Sequence, residues 1–165
     1  MKYTLLSLAL GLILSLGAPL AAQAAEAGKG EQTITRAGSL PSAKGSDQFF
    51  TGNVRIDPLW NSKQPDAPFS GGFVTFEPGA RSFWHTHPTG QHLVVTHGVG
   101  LTGVWGGKVE EFRAGDVLWC PAGVKHWHGA SPTTGMTHLA ITGTLPDGKN
   151  VEWMEEVTDA QYNAR

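Results

Sequence analysis

Gly79-Ala80-Arg81-Ser82-Phe83-Trp84-His85-Thr86-His87-Pro88-Thr89-Gly90-Gln91, running on to Gly98, decides how this chain is read. Two histidines one residue apart on an extended strand project from the same face. The Pro88-Thr89-Gly90 turn then brings in Gln91, four residues beyond His87. A second stretch starts at Gly115 and ends in Pro121-Ala122-Gly123-Val124-Lys125-His126, setting a third imidazole just past a tight turn. Imidazole nitrogens suit manganese, iron, cobalt, nickel, copper and zinc, and a carboxamide oxygen can add a fourth ligand. A single histidine is ordinarily a polar surface residue. This combination is the pattern of a metal site.

Outward from these stretches the chain reads as short extended segments separated by turn residues. The segments are Phe49–Asp57 (broken by Gly52), Gly72–Phe76, Ser82–His87, Gln91–His97, Leu101–Trp105, Lys108–Phe112, Val117–Cys120 and Met136–Thr144. Between them stand Glu77-Pro78-Gly79, Gly98, Gly106-Gly107, Ala114-Gly115-Asp116 and Pro146-Asp147-Gly148. Pro58 to Ser70 reads as a long surface loop, and residues 25–48 as a loose arm with one strand at Thr33–Ala37. So many strands with no long amphipathic helix predict an all-β antiparallel barrel or two-sheet sandwich over residues 49–165. One short C-terminal helix is expected, where Thr158 and Gln161 have the spacing of a capping box.

The two histidine stretches also match a family. Gly79 to Gly98 reads G-x5-H-x-H-x3-Q-x6-G and resembles the first cupin motif, with Gln91 where glutamate is usual. Gly115 to His126 reads G-x5-P-x-G-x2-H and resembles the second, with Ala130 where asparagine is usual. The resemblance implies a single-domain cupin, a small antiparallel jelly-roll β-barrel holding a metal in its mouth through His85, His87, Gln91 and His126. Further stretches, among them Val74-Thr75-Phe76-Glu77-Pro78-Gly79, Lys125-His126-Trp127-His128-Gly129-Ala130 and Met136-Thr137-His138-Leu139-Ala140-Ile141, look like the bacterial cupin hydroxynitrile lyases. That narrower resemblance implies manganese, with iron, zinc, nickel or cobalt as alternatives, and release of hydrogen cyanide from cyanohydrins of the (R)-mandelonitrile type. It assigns the base to His138.

The residues carry a reading of their own. Three neutral imidazoles and a neutral amide leave a divalent ion at full formal charge, which favours acid–base or lyase chemistry on a small hydroxylated or carbonyl substrate. An iron-dependent dioxygenase and a non-catalytic small-ligand binder are the alternatives. Alternation along Met136–Thr144 puts Met136, His138, Ala140 and Thr142 on one face. A histidine base such as His138 titrates near neutrality when unperturbed. His128 shares a face with His126, and Val74 and Phe76 are candidates for pocket wall. His92 and His97 read as surface residues, and Cys120 as a small buried apolar side chain.

Composition narrows the setting. The 165 residues include 12 basic and 14 acidic ones, too few positive charges for a nucleic-acid footprint. One cysteine excludes an internal disulfide framework, so stability must come from the core, a metal or a homodimeric or homotetrameric assembly. Lys2, the apolar run Leu5 to Leu16 and Ala21-Ala22-Gln23-Ala24 have the order of a cleavable export signal over residues 1–24. That run is too short to span a bilayer, so no membrane span is expected after cleavage, and the destination is the periplasm or the exterior.

Overall fold

Alternation of inward and outward side chains along Gln91–Val104 organises the molecule. The computed structural model describes residues 32–61 and 66–164, so the export signal expected over residues 1–24 lies outside the described residues. Among the described residues the elements are β1 (Ala43–Lys44), β2 (Phe50–Thr51), β3 (Val54–Trp60), β4 (Phe69–Phe76), β5 (Arg81–Ser82) and β6 (His85–Thr86). They continue with β7 (Gln91–Val104), β8 (Val109–Arg113), β9 (Val117–Cys120), β10 (His126–Ala130), β11 (Met136–Gly143), β12 (Glu152–Trp153) and α1 (Asp159–Tyr162).

β7 is one 14-residue strand, where two segments separated at Gly98 were expected. Its first half pairs with β11 and β9, and its second half with β10 and β8, all antiparallel. One strand thus joins both sheets of a curled, antiparallel barrel. Gly98 makes the passage possible. Its φ is 79°, and a Cβ there would stand 1.9 Å from the Gly135 carbonyl oxygen. A bulge leaves Thr96 unpaired between the Thr137–His97 and His138–Val95 pairs, beside the strand residue that carries His138.

The strand path runs β1-β3-β4-β11-β7-β10-β5-β2, with β6 on β10 and β12 on β6. Phe50, Val54, Phe76, Leu93, Val95, Phe112 and Met136 fill the barrel as one apolar cluster. Each such buried side chain contributes about 1.5–3 kcal/mol. All five residues of β10 are buried, because both of its faces are covered. Trp127 packs outside the barrel with Trp84, Leu101, Val157 and Tyr162, while His126 and His128 share the opposite side with the barrel core. The C-terminal segment clasps that outer face. Arg81 donates to the Val157 carbonyl and pairs with Asp159 at 2.7 Å, and Tyr162 Oη donates to the Ala130 carbonyl at 2.7 Å. Thr158 caps α1, with Gln161 completing the box.

Several sequence expectations need correction. Thr33–Ala37 is not a strand, and the arm pairs instead through Ala43–Lys44 against Arg55 and Ile56. The loop expected from Pro58 is shorter, because β3 continues to Trp60 and β4 begins at Phe69. Pro58 is tolerated there beside an irregularity in the β3–β4 register. Ser82–His87 is not continuous either, but splits into β5 and β6 around Phe83 and Trp84.

Candidate metal centre

Local turns and strand register bring the histidines together. His85 on β6 lies directly across from His126 on β10. Their rings are 4.2 Å apart, and the His87 ring is 5.0 Å from that of His85 and 5.5 Å from that of His126. Each of the three is anchored through Nδ1 to a backbone carbonyl: His85 to Phe83 at 2.9 Å, His87 to Asn150 at 2.6 Å and His126 to Val124 at 3.0 Å. A carbonyl oxygen can only accept, so Nδ1 holds the proton and Nε2 presents a bare lone pair.

Gln91 is oriented in the same manner. Its Nε2 donates to Thr142 Oγ1 at 3.1 Å, which leaves Oε1 facing His126 Nε2 at 3.4 Å. Two acceptors thus face each other with no hydrogen between them. His87 Nε2 is buried without a partner. Three imidazole lone pairs and an amide oxygen with no donor among them are what a cation satisfies, so these residues fit a divalent metal.

His128 adds a second geometry. One ring nitrogen each of His85, His126 and His128 lie within 4.8 Å of one another. Two triads therefore share His85 and His126, with either His87 or His128 as third member. The anchoring separates them. His87 has the backbone-fixed Nδ1 of the other two, whereas His128 spends its Nδ1 on a 3.1 Å hydrogen bond with His138 Nε2. The outer nitrogens of that pair, His128 Nε2 and His138 Nδ1, are buried and unpartnered.

All of these groups except His126 line a cavity of about 170 Å³. Its polar lining is His85, His87, Gln91, His128, His138, Thr142 and Asn150, and among the described residues no lining residue is acidic. Burial pushes all five histidines of the cluster below their ordinary value. It takes His126 to about 4 and His138 to about 3, with neighbouring imidazoles adding repulsion at His85 and His128. His138 is thus a neutral, weak base, not one poised near neutrality as its residue type alone suggests.

A family description of the cupin domain matches residues 72–141. Over 129 residues the chain is 60% identical to (R)-mandelonitrile lyase of Granulicella tundricola, covering 78% of this chain and 97% of that protein. The chain belongs to the cupin family. A crystal structure of a cupin-like protein from Thermotoga maritima shares 39% identity with this cupin at a TM-score of 0.68, covering 79% of this chain and 95% of that one. A predicted oxalate decarboxylase from the same organism superposes at a TM-score of 0.59 with 20% identity, over 68% of this chain and 100% of that one, and shows the fold alone.

Within this cupin, Val74, Ala140 and Thr142 line the cavity. Phe76, the other candidate for pocket wall, is not among the lining residues. It shares the inward face of β4 with Val74, but its fully buried ring packs edge-on against His128 at 5.7 Å and at a 46° tilt against His138 at 5.6 Å, within the apolar cluster. His92 is exposed and lies on Trp119 at 4.4 Å, and His97 is exposed. Burial of the Cys120 thiol pushes its pKa up to about 11, which fits a structural role. Sequence reasoning missed Phe50, Ile56, Asn150, Val151 and Trp153 as lining residues. Asn150 anchors His87 through its main chain, so no side-chain signal marks it.

Proposed function

We propose that this cupin is a manganese-dependent lyase that cleaves small cyanohydrins to an aldehyde and hydrogen cyanide. The observation that supports this most is the set of four lone pairs, on His85, His87, Gln91 and His126, beside a neutral His128–His138 pair with open outer nitrogens. The 60% identity to (R)-mandelonitrile lyase supports the same reading. The four would hold the ion, and the His128 ring stands 5.2 Å from that of His85. A bound divalent ion supplies positive charge that acidifies a nearby hydroxyl and favours a departing anion.

The protein's own residues handle the proton. In the His128–His138 hydrogen bond one ring donates and the other accepts, so of the two outer nitrogens one is bare and one carries hydrogen. The bare nitrogen takes the hydroxyl proton of the cyanohydrin. The O–H electron pair becomes the carbonyl π bond, the carbon–carbon bond to the nitrile breaks, and its electron pair leaves on cyanide. The N–H at the other end supplies the proton that makes hydrogen cyanide; transfer across the pair leaves both rings neutral with their tautomers exchanged, and proton exchange with water resets them before the next turnover. We assign His138 as the base and His128 as its relay. Among the described residues no carboxylate lines the cavity, which suits this chemistry, since no fixed negative charge there opposes a departing anion.

Metal analysis of protein purified from its own host, followed by a cyanide-release assay without oxygen, tests the proposal. Manganese with oxygen-independent cyanide release is expected. A metal-replete protein that releases none would overturn it.

The order of Lys2, apolar run and small residues supports export to the periplasm or exterior, checked by sequencing the mature N-terminus. Exposed Val104, Trp105, Val117 and Trp119 support self-association as a dimer or tetramer, checked by sedimentation.

A further inference from the structure

Strand β10 serves two sides of the barrel. His126 and His128 lie on its inner side, and Trp127 between them packs outside. There Trp127 lines a second cleft, of about 400 Å³ against about 170 Å³ for the metal cavity. The cleft has Trp84 and Trp105 as walls, set edge to face at 5.0 Å and 74°. Gly103, which pairs with Trp127 across the β7–β10 ladder, and Gln161 of α1 also line it. Trp105 is 55% exposed at the rim, whereas Trp127 is 1% exposed at the floor.

Two donors in this cleft lack acceptors among the described residues. One is the indole Nε1–H of Trp127, whose residue takes part in hydrogen bonding only through its main chain. A Cβ at Gly103 would stand 2.8 Å from that nitrogen, so the glycine keeps the space beside it open. The other is the Gln161 amide. Its Oε1 accepts from Thr158 and from Trp84 Nε1 at 3.3 Å, which leaves its NH2 group to donate. Buried donors are ordinarily satisfied, so an unpaired one facing a cleft marks a place for a ligand oxygen. Among the described residues no lining side chain is charged. Lys125 stands 3.4 Å over the Trp105 ring from outside the lining, but Glu155 already pairs with it. That cation steadies the indole without calling for an anion.

We propose that this outer cleft is a second ligand site, separate from the metal centre, for a neutral planar ring bearing a carbonyl or carboxamide oxygen. The ring lies against Trp84 and Trp105, whose mutual angle offers it both a face and an edge. The oxygen accepts from Trp127 Nε1. A cleft of about 400 Å³ falls within the range of small-molecule sites. A second copy of this chain could cover Val104 and Trp105, but a flat protein face does not reach an indole nitrogen at the floor. The site stands independently of the lyase reading, since it shares no lining residue with the metal cavity.

The test titrates benzamide, cyclohexanecarboxamide and toluene calorimetrically into the metal-loaded protein. Wild type should bind benzamide with a Kd of roughly 1 mM or below. Cyclohexanecarboxamide keeps the oxygen but lacks the flat face, and should bind about three- to tenfold more weakly. Trp127→Phe keeps a ring and removes the N–H, so benzamide should weaken about three- to tenfold while toluene is unchanged. Trp105→Ala removes a wall at an exposed position, and should weaken both ring compounds about tenfold with the metal content of wild type. Should Trp127→Phe fail to fold, Trp105→Ala decides. Absence of benzamide binding by wild type overturns the site. So does wild-type affinity in Trp105→Ala, which would put the ring elsewhere. Undiminished benzamide binding in folded Trp127→Phe removes the proposed hydrogen bond and with it the ligand class. Binding that weakens as protein concentration rises would show that a second copy fills the cleft, and overturns the site as well.

Discussion

Thr142 Oγ1 accepts from Gln91 Nε2 at 3.1 Å, and this bond on the β11–β7 ladder turns the amide oxygen toward His126. The amide could otherwise rotate and offer its NH2 group, which repels a cation. Thr142→Val keeps the shape and removes the acceptor. Metal affinity should fall by about 10–100-fold, the usual cost of losing a group that orients a ligand. Competition with a chelator measures it, and wild-type affinity would show that Thr142 does not set the amide.

Gln91→Glu tests the charge of the donor set. A carboxylate should hold the metal at least as tightly but halve its formal charge, weakening the field on a bound hydroxyl. Occupancy should hold while turnover drops. A variant fully loaded with metal and as fast as wild type contradicts the charge argument.

His87→Ala removes the imidazole whose Nε2 is left without a partner. Most of the metal should be lost, and with it the stabilisation that a ligand of the folded state confers by mass action. Elemental analysis and thermal denaturation with and without added manganese give the answer. If His87→Ala keeps its metal, the triad of His85, His126 and His128 is the true one.

His138→Ala should keep its metal and fold yet lose about 10²–10⁴-fold in turnover. Burial holds the His138 imidazole at about 3, so acid should not silence the wild type through this group until well below pH 6.5. A turnover near wild type in His138→Ala would move the base to His128.

The buried histidines also make stability depend on pH. Their folded-state values lie below the ordinary 6.5, at about 4 for His126 and about 3 for His138, so the unfolded chain binds protons that the folded chain refuses. Their contribution is intact above pH 6.5 and is lost as pH falls from there toward the folded values. Each proton taken up on unfolding costs at most about 1.4 kcal/mol per pH unit. For metal-free protein, urea midpoints should be level from pH 8 to 7 and fall steadily from 6.5 to 4. A level profile through that range would mean that the imidazoles titrate freely.

Much of the barrel was legible because its signals are local. Period-two alternation picks out the inward face of β11, and glycines with positive φ mark the turns at Gly52, Gly79, Gly90 and Gly123. The pattern of His85, His87 and His126 could be read because strand geometry and tight turns act over a few residues. Two features lie where neighbours decide. Phe76 shares a face with Val74, yet only the filling of the barrel determines which of them meets open space. The basicity of His138 is set by its burial, which lowers its value to about 3 and which its residue type cannot show.

The sequence by itself determined the strand content, the turns and which side chains could donate to a metal, since each depends on covalent spacing and backbone preference. Tertiary structure alone decided the His128–His138 bond, the orientation of Gln91 and the arrival of Trp153 beside His85. Those contacts join residues 10, 51 and 68 positions apart. They exist only after the sheet curls and β12 pairs with β6, because register and closure depend on long-range packing that no local window of sequence contains.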